Sequence, residues 1–530
     1  MGLEPTTFGT TIRRSNQLSY IHHTCVPSRV CKDTIFLLFT NKCHIIFILC
    51  DKNVFLCLYI ERKKMEKNYD LIVIGAGPGG YVAAIRAAQE GMKVALVERE
   101  NLGGVCLNWG CIPTKALLKS ASVYEYISHA SSYGIEIDAT PHVDFKRVIE
   151  RSRGVSAQMS KGVEFLMKKN KIDVIWGTGK VLPGKAVEVT DAEGAKTAYT
   201  ASHIIIATGA HSRNLPAIPQ DGRRVIGYRE ALTLSERPER MVVIGSGAIG
   251  SELAYFYNAM GTKVTIVEYL PAIVPTEDAE VSKELERIFR KRGIKSLTSS
   301  SVDSVVENEN GSLTVHITSP KGKVEIEADV VLSAAGVETN VEGIGLEEVG
   351  IKVERGKIVT DEYYRTSIEG YYAIGDVVAG PALAHVASAE AIIAVEKIAG
   401  KDVEPLDYKN IPGAIYTTPQ VASVGMSESK AREAGYELKI GKFPFTASGK
   451  AKAAGATEGF IKVIYDAKYG ELLGVHMIGD NVTEMIAEAV LARRGELTAH
   501  EILSAVHPHP TMSEAFMEAT EAAYEKAIHL

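Results

Sequence analysis

Two stretches decide the fold, and they read alike: Leu71-Ile72-Val73-Ile74-Gly75-Ala76-Gly77-Pro78-Gly79-Gly80 and Met241-Val242-Val243-Ile244-Gly245-Ser246-Gly247-Ala248-Ile249-Gly250. Each is a short apolar strand pattern running into Gly-x-Gly-x-x-Gly. Each leads into a helical segment (81–89 and 251–260), then a glycine, then a second strand pattern (93–98 and 263–268). Both second strands end in an acid, Glu98 or Glu268, 23 residues after the first glycine of its turn. The first glycine allows the tight turn, the second lets backbone approach a pyrophosphate, and the third lets helix close on strand. The helix N-terminus then stabilises the phosphate charge, and the acid accepts from ribose hydroxyls. A lone motif of this kind is weak evidence, but two in full strand-turn-helix-strand context with equal spacing are one device used twice.

A short distance beyond the first unit stands Gly103-Gly104-Val105-Cys106-Leu107-Asn108-Trp109-Gly110-Cys111-Ile112-Pro113-Thr114-Lys115. Two cysteines four residues apart, close behind a dinucleotide turn, put a dithiol where it can face a redox cofactor. Cys111 is the last cysteine of the chain, so no second pair remains to complete a four-cysteine zinc site, and no metal is expected. Pro113 and Lys115 predict a helix beginning near them, and a helix N-terminus lowers a thiol pKa.

The 530 residues are 46% hydrophobic and 23% charged, an ordinary globular balance long enough for several domains. A net charge of −6 gives no footprint for nucleic acid. Five of the seven cysteines fall before residue 65, so the body is not a secreted disulfide scaffold, and a reducing compartment is expected. That early segment differs in composition from everything after it. Its apolar run (34–60) is broken by Asn41-Lys42, His44 and Asp51-Lys52-Asn53, too soon for the roughly 20 apolar residues of a membrane span. Met65-Glu66-Lys67-Asn68-Tyr69-Asp70 reads as a natural start, which makes residues 1–66 a non-native or disordered leader. Arg13, Arg14, Arg29 and Lys32 leave a transit peptide as the other reading. The expected location is the cytoplasm, or the mitochondrial matrix if the leader is a transit peptide.

Three later signals complete the pattern. His203-Ile204-Ile205-Ile206-Ala207-Thr208-Gly209-Ala210 is a strand entering a small-residue turn suited to close approach of a cofactor. Tyr371-Tyr372-Ala373-Ile374-Gly375-Asp376 is a strand delivering a carboxylate. Beyond about residue 412 the texture changes to alternating strands (459–466 and 472–478) and helices (484–494 and from 513), a separate α+β module. Near its end, His507-Pro508-His509-Pro510 is followed by Glu514, a base with a carboxylate to orient it and an expected cis bond between His509 and Pro510.

Together these residues resemble the pyridine nucleotide-disulfide oxidoreductases, most closely the branch that oxidises dihydrolipoamide, from about residue 67 to the C-terminus. The resemblance implies an α/β fold with two Rossmann-like domains for FAD and NAD and a C-terminal α+β dimerisation domain. The implied boundaries are 67–217 for FAD, 218–340 for NAD, 341–412 for a central domain completing the FAD site, and 413–530 for the interface. It implies that Gly75, Gly77, Gly80 and Glu98 bind the ADP half of FAD, that Lys115 and Glu252 pair near the flavin, and that Asp376, Ala384 and His385 bind its ribityl and pyrophosphate region. Gly245, Gly247, Gly250, Glu268 and Gly336 are implied for NAD, and Gly179, Thr208, Gly209 and Val302 as further cofactor contacts. Cys106 is implied as the interchange thiol, Cys111 as the thiol against the flavin, and His509 as the base, held by Glu514 and supplied across a homodimer interface. The implied reaction oxidises dihydrolipoamide, free or carried as a lipoyl group on another protein, and reduces NAD, as the shared component of 2-oxoacid dehydrogenase or glycine cleavage systems; the implied partners are the core subunits of 2-oxoacid dehydrogenases. One departure is visible: many relatives carry Gly-Arg-Arg where this chain has Gly336-Val337-Glu338.

Two alternatives stay open at this stage. An NADPH-dependent disulfide reductase of the glutathione-reductase type would run the dithiol in reverse, against which stand Glu268 and the lack of an Arg pair beside it. A membrane-anchored electron-transfer flavoprotein would require the leader to be a true anchor.

Overall fold

The computed structural model describes residues 35–39, 44–51, 54–61 and 65–530. The chain divides into two compact units, the second spanning Glu66–Leu530. The expectations for a start at Met65 or a transit peptide fall largely outside the described residues. What is described of the leading unit is an antiparallel sheet of three strands, Ile35–Phe39, His44–Asp51 and Val54–Glu61.

In the second unit the first nucleotide turn joins the strand Met65–Ile74 to the helix Pro78–Gln89, and the strand Val94–Glu98 returns parallel to the first. Leu71, Ile72, Val73, Leu96 and Val97 are almost wholly buried, as expected for a parallel sheet covered on both faces. Each such side chain contributes about 1.5–3 kcal/mol. The helix presents Ala83, Ala84 and Ala87 to the sheet, small residues that allow close packing, and Pro78 at its start fits a position that needs no N–H partner. The sheet continues through Lys196–Ile206, Ala186–Thr190 and Thr178–Leu182. The short strand Tyr371–Ala373 pairs in parallel with Ile204–Ile206. That pairing brings Gly375-Asp376 alongside Thr208-Gly209, although more than 160 residues separate them in the chain.

The second turn sits in its own five-stranded parallel sheet, ordered Val225–Ile226, Val330–Ser333, Arg240–Ile244, Lys263–Val267 and Lys295–Leu297. An antiparallel sheet of Ser301–Glu307, Leu313–Ser319 and Gly322–Ala328 is attached to it. The sequence reading named no element there, because the meander is short, polar on one face and carries no motif.

The C-terminal module is a five-stranded antiparallel sheet bearing the helices Val482–Arg494 and Glu514–Ala522. The last helix lies so close on the strand Leu438–Pro444 that a Cβ at Gly441 would stand 1.8 Å from the carbonyl oxygen of Ala519. Only glycine fits there. Among the described residues no helix is long and apolar enough to cross a membrane.

Candidate active site

The two turns obey one rule at atomic detail. A Cβ at Gly75 would meet the Ala207 oxygen at 2.3 Å, one at Gly80 would meet the Gly75 oxygen at 1.8 Å, and one at Gly77 would meet nothing within 4 Å. In the second turn the corresponding contacts are Gly245 to the Ala334 oxygen at 2.6 Å, Gly250 to the Gly245 oxygen at 2.1 Å, and open space at Gly247. First and third glycines are closed by protein, and the middle one faces a space where a ligand can approach. Glu98 accepts from the N–H groups of Ala76, Arg99 and Glu100, and Glu268 accepts from those of Ser246 and Leu270 and from the Ser246 hydroxyl. Each acid is thereby fixed to its own glycine turn.

Gly75, Glu98, Gly179 and Thr208 line one cleft of about 470 Å³, which Arg213 and Glu338 also border. Thr208 Oγ1 donates to the Asn340 oxygen at 2.7 Å, Asn340 Nδ2 returns a bond to the Thr208 oxygen, and Gly209 takes a positive φ of 70° that suits glycine. Lys357 Nζ donates to the backbone oxygen of Asp376, and burial raises the Asp376 carboxyl while Lys357 opposes the shift. Ala384 and His385 open the helix Ala384–Ile398, whose Ala387 packs on Gly79 of the first turn. Beside the second turn, Val302 packs among the core residues around Ile244 and Val267, and Gly336 follows the strand Val330–Ser333 with φ of 106°. The departure at Gly336-Val337-Glu338 has a local partner: Arg213 Nε lies 3.6 Å from Glu338.

The dithiol is built by two consecutive helices. Gly103, in the left-handed region, starts the helix Gly104–Trp109, and Gly110 starts the helix Cys111–Ser128. That second helix begins two residues earlier than Pro113 suggested, which puts Cys111 itself at the first position, where the backbone N–H groups favour a thiolate. Both cysteines are reduced here, Cys106 half-buried and Cys111 exposed. A hydrogen bond between the thiols holds Cys111 down to about 7 and pushes Cys106 up. Cys111 reaches the surface but is crowded by protein on its other sides, and this partial desolvation and Glu252 raise its thiol while Lys115 lowers it.

Lys115, one turn after Cys111, bonds both carboxylate oxygens of Glu252 at 2.9 and 2.8 Å, joining the dithiol helix to the helix of the second nucleotide turn. Sequence reasoning missed the third member of this group, Tyr416. Its N–H donates to Glu252 at 3.0 Å, and Lys115 Nζ sits 4.2 Å from the centre of its ring. A tyrosine on a strand end 164 residues from Glu252 carries no sequence signal for that contact.

In the C-terminal module His509 Nδ1 lies 2.8 Å from Glu514 Oε1, and Thr511 N donates to Glu514 Oε2 at 2.8 Å. Burial raises the Glu514 carboxyl, but the Thr511 and His509 bonds outweigh it and keep the group below its ordinary range. The His509–Pro510 bond is cis. His507 pairs instead with Glu488 at 2.7 Å. Among the described residues no hydrogen bond or ion pair of one chain joins His509 to either cysteine.

Fold and site define a flavoprotein disulfide oxidoreductase, and the comparisons agree: the chain belongs to the family described as pyridine nucleotide-disulphide oxidoreductase, matched over residues 69–391, with the family's dimerisation domain over 411–520. Among relatives, the dihydrolipoyl dehydrogenase of Rhizobium etli is 48% identical over 88% of this chain and 100% of its own length. That of Zymomonas mobilis is 50% identical over the same shares. Among solved structures, LpdA from Mycobacterium tuberculosis superposes with a TM-score of 0.79 at 27% identity, covering 85% of this chain and 99% of its own. The Cu(II) complex of the HOCl-induced flavoprotein disulfide reductase RclA from Escherichia coli gives 0.78 at 27% identity, covering 86% and 99%.

Proposed function

We propose that this chain oxidises dihydrolipoamide to lipoamide and reduces NAD to NADH, using FAD and the Cys106–Cys111 pair. The observation that carries the reading is the dithiol at a helix start, with Lys115–Glu252 beside it and two glycine turns on either hand. Relatives at close to half identity over their full length, named dihydrolipoyl dehydrogenase, support the substrate. The residues fit both cofactors: open space at Gly77 and at Gly247, an anchored acid beyond each turn, and a cleft lined by Gly75, Glu98 and Thr208.

Gly75, Gly77, Gly80, Glu98, Gly179, Thr208, Gly209, Asp376, Ala384 and His385 would hold FAD. Gly245, Gly247, Gly250, Glu268, Val302 and Gly336 would hold NAD. FAD, when bound, takes an electron pair from a dithiol and gives it up as hydride to NAD. The protein's part begins with Cys106 and Cys111 as a disulfide. His509 of the partner subunit, its ring held by that subunit's Glu514, removes a proton from one substrate thiol. The thiolate attacks Cys106 Sγ, the Cys106–Cys111 bond breaks, and the electron pair leaves on Cys111. The second substrate thiol then loses its proton and attacks the substrate sulfur bonded to Cys106. Lipoamide departs as the new disulfide, and both cysteines are reduced. Lys115 stabilises Cys111 as thiolate, and Glu252 limits how acidic that thiol becomes. Glu268 favours NAD, because a carboxylate accepts from a ribose hydroxyl and repels a 2′-phosphate.

The domains we propose are 67–217 for FAD, 218–340 for NAD, 341–412 to complete the FAD site and 413–530 for the dimer. The partners proposed are the lipoyl-bearing core subunits of 2-oxoacid dehydrogenases, and the location is the cytoplasm. Purified full-length chain should reduce NAD with dihydrolipoamide and fail to oxidise NADPH with glutathione disulfide. The reverse pattern would overturn the reading.

A further inference from the structure

Beside the Gly375–Asp376 turn lies a buried acid that none of the chemistry above uses. Glu390, 1% exposed, stands on the helix Ala384–Ile398. Its Oε2 accepts from the N–H of Gly375 at 2.6 Å, the residue before Asp376, and its Oε1 accepts from Tyr408 Oη at 2.6 Å. Tyr408 Oη is 3.2 Å from Tyr364 Oη, and Tyr408 as a residue is 39% exposed, so the group reaches from the interior to the surface. The same helix packs Ala387 against Gly79 in the first glycine turn and against Gly375. An uncharged acceptor would hold a backbone N–H at lower desolvation cost than a carboxylate, so an acid at this depth calls for a role that uses its ionisation.

We propose that Glu390 is a positioning residue for the flavin, holding the Gly375–Asp376 turn in its binding geometry and putting an ionisable charge beside Asp376 that tunes the potential of the bound cofactor. The inference rests on the FAD reading given above. The groups facing Glu390 are the Asp376 carboxyl, the Lys357 ammonium, and the phenols of Tyr408 and Tyr364. Burial pushes the Glu390 carboxyl up to about 7; the bonds from Tyr408 and Gly375 oppose this, Asp376 reinforces it and Lys357 opposes it. Glu390 is therefore largely neutral at pH 6 and largely ionised at pH 8. A negative charge near a flavin disfavours its electron-rich reduced state, so ionised Glu390 lowers the potential and neutral Glu390 does not.

The test compares full-length wild type with Glu390→Gln and Glu390→Ala, reading FAD affinity by fluorescence and flavin potential at pH 6 and pH 8. Glu390→Gln keeps an acceptor for Gly375 and should retain flavin. Its potential should match wild type at pH 6 and lie above it at pH 8. At pH 8, where Glu390 is charged, Glu390→Ala should weaken FAD binding about tenfold or more, the loss expected when a bond to a buried charged acceptor goes. A Gln variant whose potential differs from wild type by the same amount at both pH values, or not at all, overturns the tuning role. An Ala variant within twofold of wild-type FAD affinity at pH 8 overturns the positioning role. Wild type without bound flavin would instead sink the functional reading, and this inference with it.

Discussion

The first and second glycine turns are the same device in unlike surroundings. Around the first, the dithiol helix closes so tightly that a Cβ at Gly104 would meet Gly77 Cα at 2.7 Å, and Gly79 packs against Ala387 and Ile374. Around the second, Gly247, Ala248 and Ile249 are exposed, Ile249 at 39%. Local sequence sets the turn, and its neighbours set how a nucleotide leaves it. An enclosed turn suits a resident cofactor and an open one suits a cofactor that comes and goes each turnover.

The strongest way to break this contrast is Gly104→Val. The new side chain would collide with Gly77 at a position whose φ of 55° already disfavours it, and we expect protein purified without flavin and without activity. Retained yellow colour and turnover would show that the enclosure is unimportant. Next comes His509→Gln, which touches neither turn. Dihydrolipoamide oxidation should fall by about 10²–10⁴, the range for a positioned general base, while FAD content and NADH-driven dye reduction stay. Loss of flavin in that variant would place His509 in cofactor binding instead. Gly247→Val should keep FAD and raise the KM for NAD by about tenfold or more, since its side chain fills space that a pyrophosphate needs. Equal loss of FAD would erase the distinction between the turns. The smallest effect concerns Cys106→Ala. With its hydrogen bond gone, the Cys111 thiolate should form at higher pH than about 7, so the midpoint of its alkylation by iodoacetamide moves up by about one pH unit. A midpoint that stays put or drops would mean that Lys115 and the helix start, not Cys106, dominate.

Both glycine turns, the cysteine pair and His509 with Glu514 were legible in the sequence, because each is a short-range pattern whose spacing is fixed by backbone geometry. The alternation of 472–478 likewise matches the strand Leu472–Gly479. The enclosure of the first turn was not legible. It depends on Gly104 and on Ala387, more than 280 residues apart in the chain. Neither was the meander over Ser301–Ala328, nor the contact of Tyr416 with Glu252, which arises only when a strand end meets a helix 164 residues away, nor that of Lys357 with Asp376, which arises when the strand Lys357–Ile358 comes beside the turn after Tyr371–Ala373. Lys115 and Glu252 were reached by resemblance, since nothing in their own neighbourhoods pairs them across 137 positions.

That ion pair also makes the two nucleotide units answer to one another. Lys115 lowers the Cys111 thiol and Glu252 raises it, so the helix that opens the second turn helps to set the chemistry of the sulfur beside the first. A substitution that parts Lys115 from Glu252 is therefore felt at the dithiol without touching a cysteine or a glycine.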